Sequence, residues 1–246
     1  MPAWASDAVW QQLKIIALLP ALNESGKVGK VVAQMPREVV DTTVVIDDGS
    51  TDSTAEEAEA AGATVLRHEL NRGVGAAIRT GIRYAEQNGY DVVVVVASDD
   101  QDNPSEIPRL LSTIAPGGND YVHGSRYARG GARVHHPRSR TVLTRGYSVL
   151  FSVVARRWTT DASNGFRAFR TSIVRTMDLD QPWLDRYELE PYLYYQAIRQ
   201  GYRVAEVPVT KRYPQDRSIG YTKMRPFRDW WRISRPLVYP GIGLKR

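Results

Sequence analysis

Residues 92–104 read VVVVVASDDQDNP. Five consecutive valines cannot alternate between core and water, so this stretch reads as a strand covered on both faces. Such a strand belongs at the centre of a parallel sheet flanked by helices. It cannot carry charge along its length, because an unpaired buried carboxylate is strongly disfavoured. Its acids are gathered at its carboxyl end instead, as Asp99, Asp100 and Asp102. In open α/β sheets that end is where ligands bind.

Working outward, β-branched runs alternate with amphipathic helical patterns. KIIALL (14–19), TTVVID (42–47), ATVLRH (63–68), DVVVVVAS (91–98) and DYVHGS (120–125) read as strands. VGKVVAQM, EEAEAA, AAIRTGIRYAEQ and IPRLLSTI mark the helices between them. Ser50, Thr51 and Asp52 are N-cap candidates for the second of these helices. NRGVGAA, with Gly73 and Gly75, matches neither GxGxxG nor GxxxxGK[ST], so it reads as a helix start that needs flexible backbone. The series predicts an α/β fold with a mostly parallel central sheet flanked by helices. Polar residues fall at successive strand ends: Asn23 and Glu24, Asp47 and Asp48, Asp99 to Asp102, Ser125 and Arg126.

The last third differs. VLTRGYSVLFSVVARRW reads as a helix with an apolar stripe, and NGFRAFRTSIV as a strand or turn running into a helix. YELEPYLYYQAIRQGYRVAEVPV reads as a helix, a glycine stop and a strand. From about residue 211 the chain is basic, aromatic and interrupted by prolines. The expected division is a domain over 1–210 and, over 211–246, a mobile loop followed by a short amphipathic segment.

The 246 residues, 42% of them apolar, suit one α/β domain. The absence of cysteine excludes disulfides, cysteine-ligated zinc and thiol catalysis. The net charge is +6, with the excess in RGGARVHHPRSR and the tail. Such patches attract phosphate groups. No nucleic-acid motif accompanies the charge, so nucleic acid is not an expected partner. No stretch reaches the roughly 18 apolar residues of a membrane-spanning helix, and the first residues lack a signal pattern. The expectation is a cytoplasmic protein, soluble or peripheral on the cytoplasmic face of the membrane.

An acidic turn at a strand end suits two roles. It can cap the helix after Pro104, or it can hold a divalent cation whose other ligands are phosphate oxygens. For the second role Asp99 is the best-placed ligand, Asp100 and Asp102 come next, and Gln101 adds a neutral oxygen. Asp47-Asp48 likewise either accepts hydrogen bonds from a nucleoside or serves as a turn and cap.

Seven segments then stand in one order: PALNE (20–24), VVIDDGSTD (44–52), NRGVGAAIRTG (71–81), the Asp99–Pro104 turn, GSRY (124–127), NGFRAFR (164–170) and YELEP (187–191). In this the chain resembles family 2 glycosyltransferases of GT-A fold, over roughly residues 13–223. Within them it is most similar to the dolichyl-phosphate mannose synthase and polyprenyl-phosphate glycosyltransferase branch. The resemblance implies inverting transfer from a GDP- or UDP-sugar to a polyprenyl or dolichyl phosphate, with Mg²⁺ or Mn²⁺. It implies donor-nucleotide contacts at Pro20, Leu22 (where the family often has an aromatic), Glu24, Ile46, Asp48, Ala97 and Ser98.

The family's D-x-D-x-Q metal motif puts its second Asp on Asp99 and its first on Ala97, which has no carboxylate. Asp100 stands where the family often has Gly or Leu. Either Asp99 holds the cation with Gln101 alone, or Asp100 or Asp102 supplies a displaced ligand, or metal dependence is weakened. Arg126 matches an arginine near the donor diphosphate. DRSIGYTK resembles an R-x-x-G-x-S-K loop, which assigns Arg217 and Lys223 to the donor diphosphate or the acceptor phosphate. The implied catalytic residues are Asp99, Arg126, Glu188 and Glu190. Glu188 and Glu190 are candidate bases for a hydroxyl acceptor, and two residues apart on a helix they cannot share a face. A lipid-phosphate acceptor implies a membrane-facing surface, for which the helix near 141–158 and the tail with Trp230, Trp231, Arg232 and Arg235 are suited. Two other functions fit the same residues. One is a glycosyltransferase of this fold acting on a sugar or small-molecule hydroxyl. The other is a non-catalytic sugar-nucleotide-binding protein in which Ala97 marks loss of the metal site.

Overall fold

The valine run forms β4 (Val92–Val95), buried along its whole length. In the computed structural model, which describes residues 13–114, 118–135, 138–214 and 228–239, its neighbours are β1 (Ile15–Ala21), parallel, and β7 (Arg167–Arg170), antiparallel. Beyond β1 lie β2 (Thr42–Asp47) and β3 (Thr64–Arg67), both parallel. Beyond β7 lie β5 (Tyr121–Ser125) and β8 (Val204–Pro208). The order is β3-β2-β1-β4-β7-β5-β8. A small second sheet pairs β6 (Ala132–Val134) with β9 (Thr210–Arg212).

Alternate residues of the valine run fill two separate cores. Val93 and Val95 join Ile16, Leu18, Val44 and Ile46 beneath α3 (Val74–Gln87) and α7 (Leu189–Arg199). Val92, Val94 and Val96 join Ile15, Leu19 and Val45 beneath α1 (Val28–Ala33) and α4 (Ile107–Ile114). Each fully buried valine contributes roughly 1.5–3 kcal/mol, which is why neither face tolerates a polar residue. Ile46, expected beside a nucleobase, lies fully buried in the first of these cores because its position in β2 points that way.

The chain winds from β1 outward to β3, then returns to place β4 on the other side of β1. That reversal leaves a crevice beyond the carboxyl ends of β1 and β4. Two loops there are tied together. Asn23 N–H donates to Ser50 Oγ (2.9 Å), and Glu24 N–H to Thr54 Oγ1 (2.8 Å). This binding explains a departure from the expected capping of α2 (Thr54–Ala60). Ser53 stands at the cap position without a side-chain cap, because Ser50 serves the neighbouring loop and Asp52 turns back onto Thr54 N–H.

α5 (Arg138–Ala155) and the short α6 (Thr171–Val174) follow in the second half. The expected boundary after residue 210 falls inside β9. The expected amphipathic segment is α8 (Arg228–Val238), which packs on α5 and α7. The expected mobile loop falls largely on 215–227, outside the described residues. Among the described residues no helix is long and apolar enough to cross a membrane.

NRGVGAA does need special backbone. Gly73 sits at φ 112° at the start of α3, and a Cβ there would meet Asp185 O at 2.4 Å. Gly75 lies two residues on, inside the helix rather than before it, against Leu184 O. Gly201, at φ 77° after α7, has open space around it. Gly201→Ala therefore loses only the left-handed preference, about 1–2 kcal/mol. Gly73→Ala adds a backbone collision and is expected to lower stability by clearly more than that. Urea midpoints of the two variants check this, and equal losses would contradict the packing around Gly73.

Candidate active site

The crevice is a cleft of about 320 Å³. From β1 and the loop after it come Pro20, Leu22 and Glu24, and from the end of β2 comes Asp48. Ala97, Ser98, Asp99 and Gln101 enter from the turn after β4, with Arg126 and Glu190 from the far side. These ten sequence-predicted residues are brought together. Arg217 and Lys223 lie outside the described residues.

Asp48 is fixed by three donors. Its Oδ1 accepts from Arg72 N–H (2.9 Å) and lies 2.7 Å from His68 Nδ1, while Oδ2 accepts from Gly73 N–H (2.7 Å). Asp47 takes the turn role, accepting from Ser50 N–H (2.8 Å). Ser98 Oγ donates to Pro20 O (2.7 Å) and so joins the ends of β4 and β1.

The acids after β4 divide their work. Asp99 is half-buried on the cleft lining, and its Oδ1 accepts from Gln101 N–H (3.1 Å). Burial pushes its carboxyl up, and the ammonium of Lys211 opposes that shift. Asp100 is exposed at φ 63° and does not line the cleft. Asp is among the few residues other than glycine that tolerate this left-handed backbone. Asp102 is turned away as well. Its Oδ2 accepts from Ala97 N–H (3.0 Å) and its Oδ1 from Lys211 Nζ (2.8 Å). Neither Asp100 nor Asp102 therefore stands as a displaced metal ligand beside Asp99. Among the described residues no three His, Cys, Asp or Glu side chains form a metal-binding group. What remains is one carboxylate, Asp99, and the amide of Gln101. That set still fits Mg²⁺, which uses one or two carboxylates and completes its shell with water and substrate phosphates.

Arg126 is buried in a fork with Asp161, Nε to Oδ2 2.7 Å and Nη2 to Oδ1 2.8 Å. It also donates to Tyr213 OH (2.8 Å) and Ser163 Oγ (2.7 Å). Four of its five N–H groups are thus engaged by protein. Burial raises the Asp161 carboxyl, but the guanidinium more than reverses this and holds it below its ordinary value of 3.8. Asp161 carries no motif around it, and the sequence reading missed it.

The two glutamates of YELEP do point apart. Glu190 lines the cleft, and Arg167 holds it: Nη2 donates to Oε1 (3.1 Å) and Nη1 to the Glu190 carbonyl (2.8 Å). Glu188 faces α8, where Arg235 Nη2 lies 2.9 Å and Arg232 Nε 3.8 Å from its Oε1. Glu188 is thus removed from the candidate bases, and these two tail arginines from the membrane-facing set. Trp231 is exposed, whereas Trp230 is half-buried against the core. The sequence reading also missed Lys27, Arg140, Arg186 and Lys211, which line the cleft. Among the described residues, five basic ones (Lys27, Arg126, Arg140, Arg186, Lys211) and four acidic ones (Glu24, Asp48, Asp99, Glu190) face it. A multiply charged anion is better matched to this near-balance when a further cation accompanies it.

Comparisons with known proteins identify the family and the fold. Residues 17–178 match the glycosyl transferase family 2 domain. The undecaprenyl-phosphate mannosyltransferase of Micrococcus luteus is 30% identical over 218 residues, covering 86% of this chain and 88% of that protein. The polyprenol monophosphomannose synthase of Mycolicibacterium smegmatis is 28% identical, covering 86% and 81%. Glucosyl-3-phosphoglycerate synthase from Mycobacterium tuberculosis, crystallised with Mn²⁺, UDP and phosphoglyceric acid, superposes with a TM-score of 0.72 at 20% identity, covering 96% and 80%. The fold is that of GT-A glycosyltransferases.

Removing Asp161 leaves a buried guanidinium uncompensated. Asp161→Ala is expected to cost about 3–5 kcal/mol, read from urea unfolding at neutral pH. Because its folded pKa is depressed, the pair's contribution is present above the ordinary value near 3.8 and is lost as pH falls through the lower folded one. The gap between wild type and variant should therefore close in acid, and a gap that is constant with pH would contradict the ion pair.

Proposed function

This chain belongs to glycosyl transferase family 2, and from that membership we propose that it transfers a sugar from a nucleotide-diphosphate donor to a polyprenyl phosphate, with inversion at the anomeric carbon. The observation that carries the acceptor is the orientation of α5. Its Arg140 lines the cleft. Further along, the same helix exposes Val142, Leu143, Val149, Leu150 and Val153, with Trp158 just beyond its end. These positions recur at helical spacing and make one apolar stripe. The buried face carries Thr144, Ser148 and Ser152 beside Tyr147 and Phe151. The amphipathic sense is thus reversed for a surface helix in water. An exposed stripe of this kind marks a contact surface, and the exposed Arg145, Arg156 and Arg157 beside it suit anionic headgroups. A lipid phosphate fits both halves, its phosphate near Arg140 and its chain along the stripe. Both relatives named above are named for polyprenyl-linked chemistry.

In the reaction, an acceptor phosphate oxygen forms a bond to the anomeric carbon while the bond to the donor diphosphate breaks. The electron pair leaves with the nucleoside diphosphate, GDP or UDP. The acceptor phosphate is already ionised and needs no base. Asp48, fixed by the Arg72 and Gly73 backbone, holds the nucleoside. Glu190, fixed by Arg167, orients the sugar. Asp99 and Gln101 would hold Mg²⁺ or Mn²⁺ together with phosphate oxygens, and that cation would stabilise the departing diphosphate. The protein then works at the membrane surface as a peripheral enzyme.

Two measurements test this. With labelled GDP- and UDP-sugars, Mg²⁺ and polyprenyl phosphate, the protein should form a lipid-linked sugar, and Asp99→Asn should slow it at least about 100-fold. Product formed solely on water-soluble hydroxyl acceptors would overturn the acceptor assignment. In the second, Val142→Asp, Val149→Asp and Val153→Asp combined should lower binding to phosphatidylglycerol vesicles at least about tenfold. The urea midpoint should stay unchanged, since these side chains already face water.

A further inference from the structure

Lys211 reaches the cleft lining from β9, a strand of the small second sheet rather than of the sheet that builds the rest of the site. Its ammonium is buried against Asp102, Nζ to Oδ1 2.8 Å. Stability alone does not account for that pair. Apolar side chains in place of a buried ion pair are often as stabilising or more so. The backbone also joins the two segments already, through the Asp102–Lys211 bridge and the Arg212 N–H bond to Gln101 O (2.8 Å). A buried ammonium retained beside a ligand cleft therefore points to a use for its charge.

Three features of the same turn say what that use is. Asp102 accepts from one of the three N–H donors of Lys211. Asp99, three residues before Asp102, lies close enough to Lys211 for the two charges to act on one another. Residue 97, whose N–H Asp102 caps, is alanine. The turn thus presents a carboxylate and an ammonium to the cleft in place of two carboxylates.

We propose that Lys211 binds the diphosphate of the nucleotide-sugar donor directly, as a resident cation at the leaving-group end of the cleft. The inference rests on the donor reading given above. An ammonium is a compact point charge suited to phosphate oxygens. Asp102 holds it in place, so little side-chain freedom is lost on binding. Part of the diphosphate's charge is then met by the chain itself, and donor binding keeps a component that needs no divalent ion.

Calorimetry on the full chain tests this, with UDP and GDP as probes, in Mg²⁺ and in EDTA. The corresponding nucleosides, titrated by NMR, serve as uncharged controls. The wild type should bind one of the diphosphates in EDTA. Lys211→Gln should weaken that binding at least about tenfold, as loss of a charged hydrogen bond does, and leave nucleoside binding unchanged. If the lone Asp102 unfolds that variant, Lys211→Met combined with Asp102→Asn removes the pair together and should show the same selective loss. Equal weakening of nucleoside and diphosphate would make Lys211 a structural support of the turn and overturn the proposal. So would wild-type affinity in the variant, or diphosphate binding by the wild type in Mg²⁺ alone. If the wild type binds neither diphosphate under either condition, the donor reading itself falls and takes this proposal with it.

Discussion

A strand buried on both faces can carry polar chemistry at its ends and nowhere else, and the rest of this molecule is arranged around that constraint. β4 divides its valines between two cores, so its first polar atoms appear where it leaves the sheet. There the backbone must satisfy its own N–H groups while turning sharply. Asp102 and Asp99 do this by accepting from Ala97 and Gln101, and Asp100 provides the left-handed residue. What looks like a pool of metal ligands is therefore three residues with three roles. One of them, Asp99, is left for a ligand.

Buried charge sets the walls of the cleft. Arg126 with Asp161, Arg167 with Glu190 and Lys211 with Asp102 each join segments far apart in the chain. Each cation is too costly to bury alone. Its partner is thus as necessary as the residue itself, and the pair holds its geometry before any ligand arrives. Such preorganisation is what stabilising a departing diphosphate requires. Arg126 shows the consequence most plainly. It lines the cleft, yet most of its donors are spent on holding Asp161, Ser163 and Tyr213 in place.

The reversed amphipathicity of α5 follows from the same economy of polar atoms. Its inward hydroxyls are occupied. Ser148 Oγ and Ser152 Oγ donate to carbonyls one turn back, at 2.8 and 2.7 Å, and accept from Ala162 N–H and Thr159 N–H. The helix thereby carries the loop that holds Asp161. Its polar face is needed inside to satisfy that loop, which leaves the valines and leucines outside for another surface to cover. One helix thus ties the donor-side ion pair to the face proposed to meet lipid.

Much of the sheet was legible in the chain because periodicity and β-branched runs are local signals. The strands β1 to β5, the helices between them and the carboxyl-end location of the site could all be read from residues within a few positions of one another. Ten of the residues that line the cleft followed from strand ends and ordered motifs. The direction in which a side chain leaves a loop, or the partner it finds, is not local. Ile46 entered the core, and Glu188 turned to α8. Asp102 turned to a lysine over a hundred residues away, and Asp161 met Arg126, 35 residues before it. β9 was missed because three residues rich in charge carry no strand pattern, and it pairs with β6 and bridges the turn after β4 through backbone bonds that sequence does not mark. The sequence by itself determined where in the fold charge could be gathered, since hydrophobic patterning forbids it elsewhere. Only the tertiary structure decided which of those charges face a ligand, since burial forces each to find a counter-charge and long-range packing decides which one it finds.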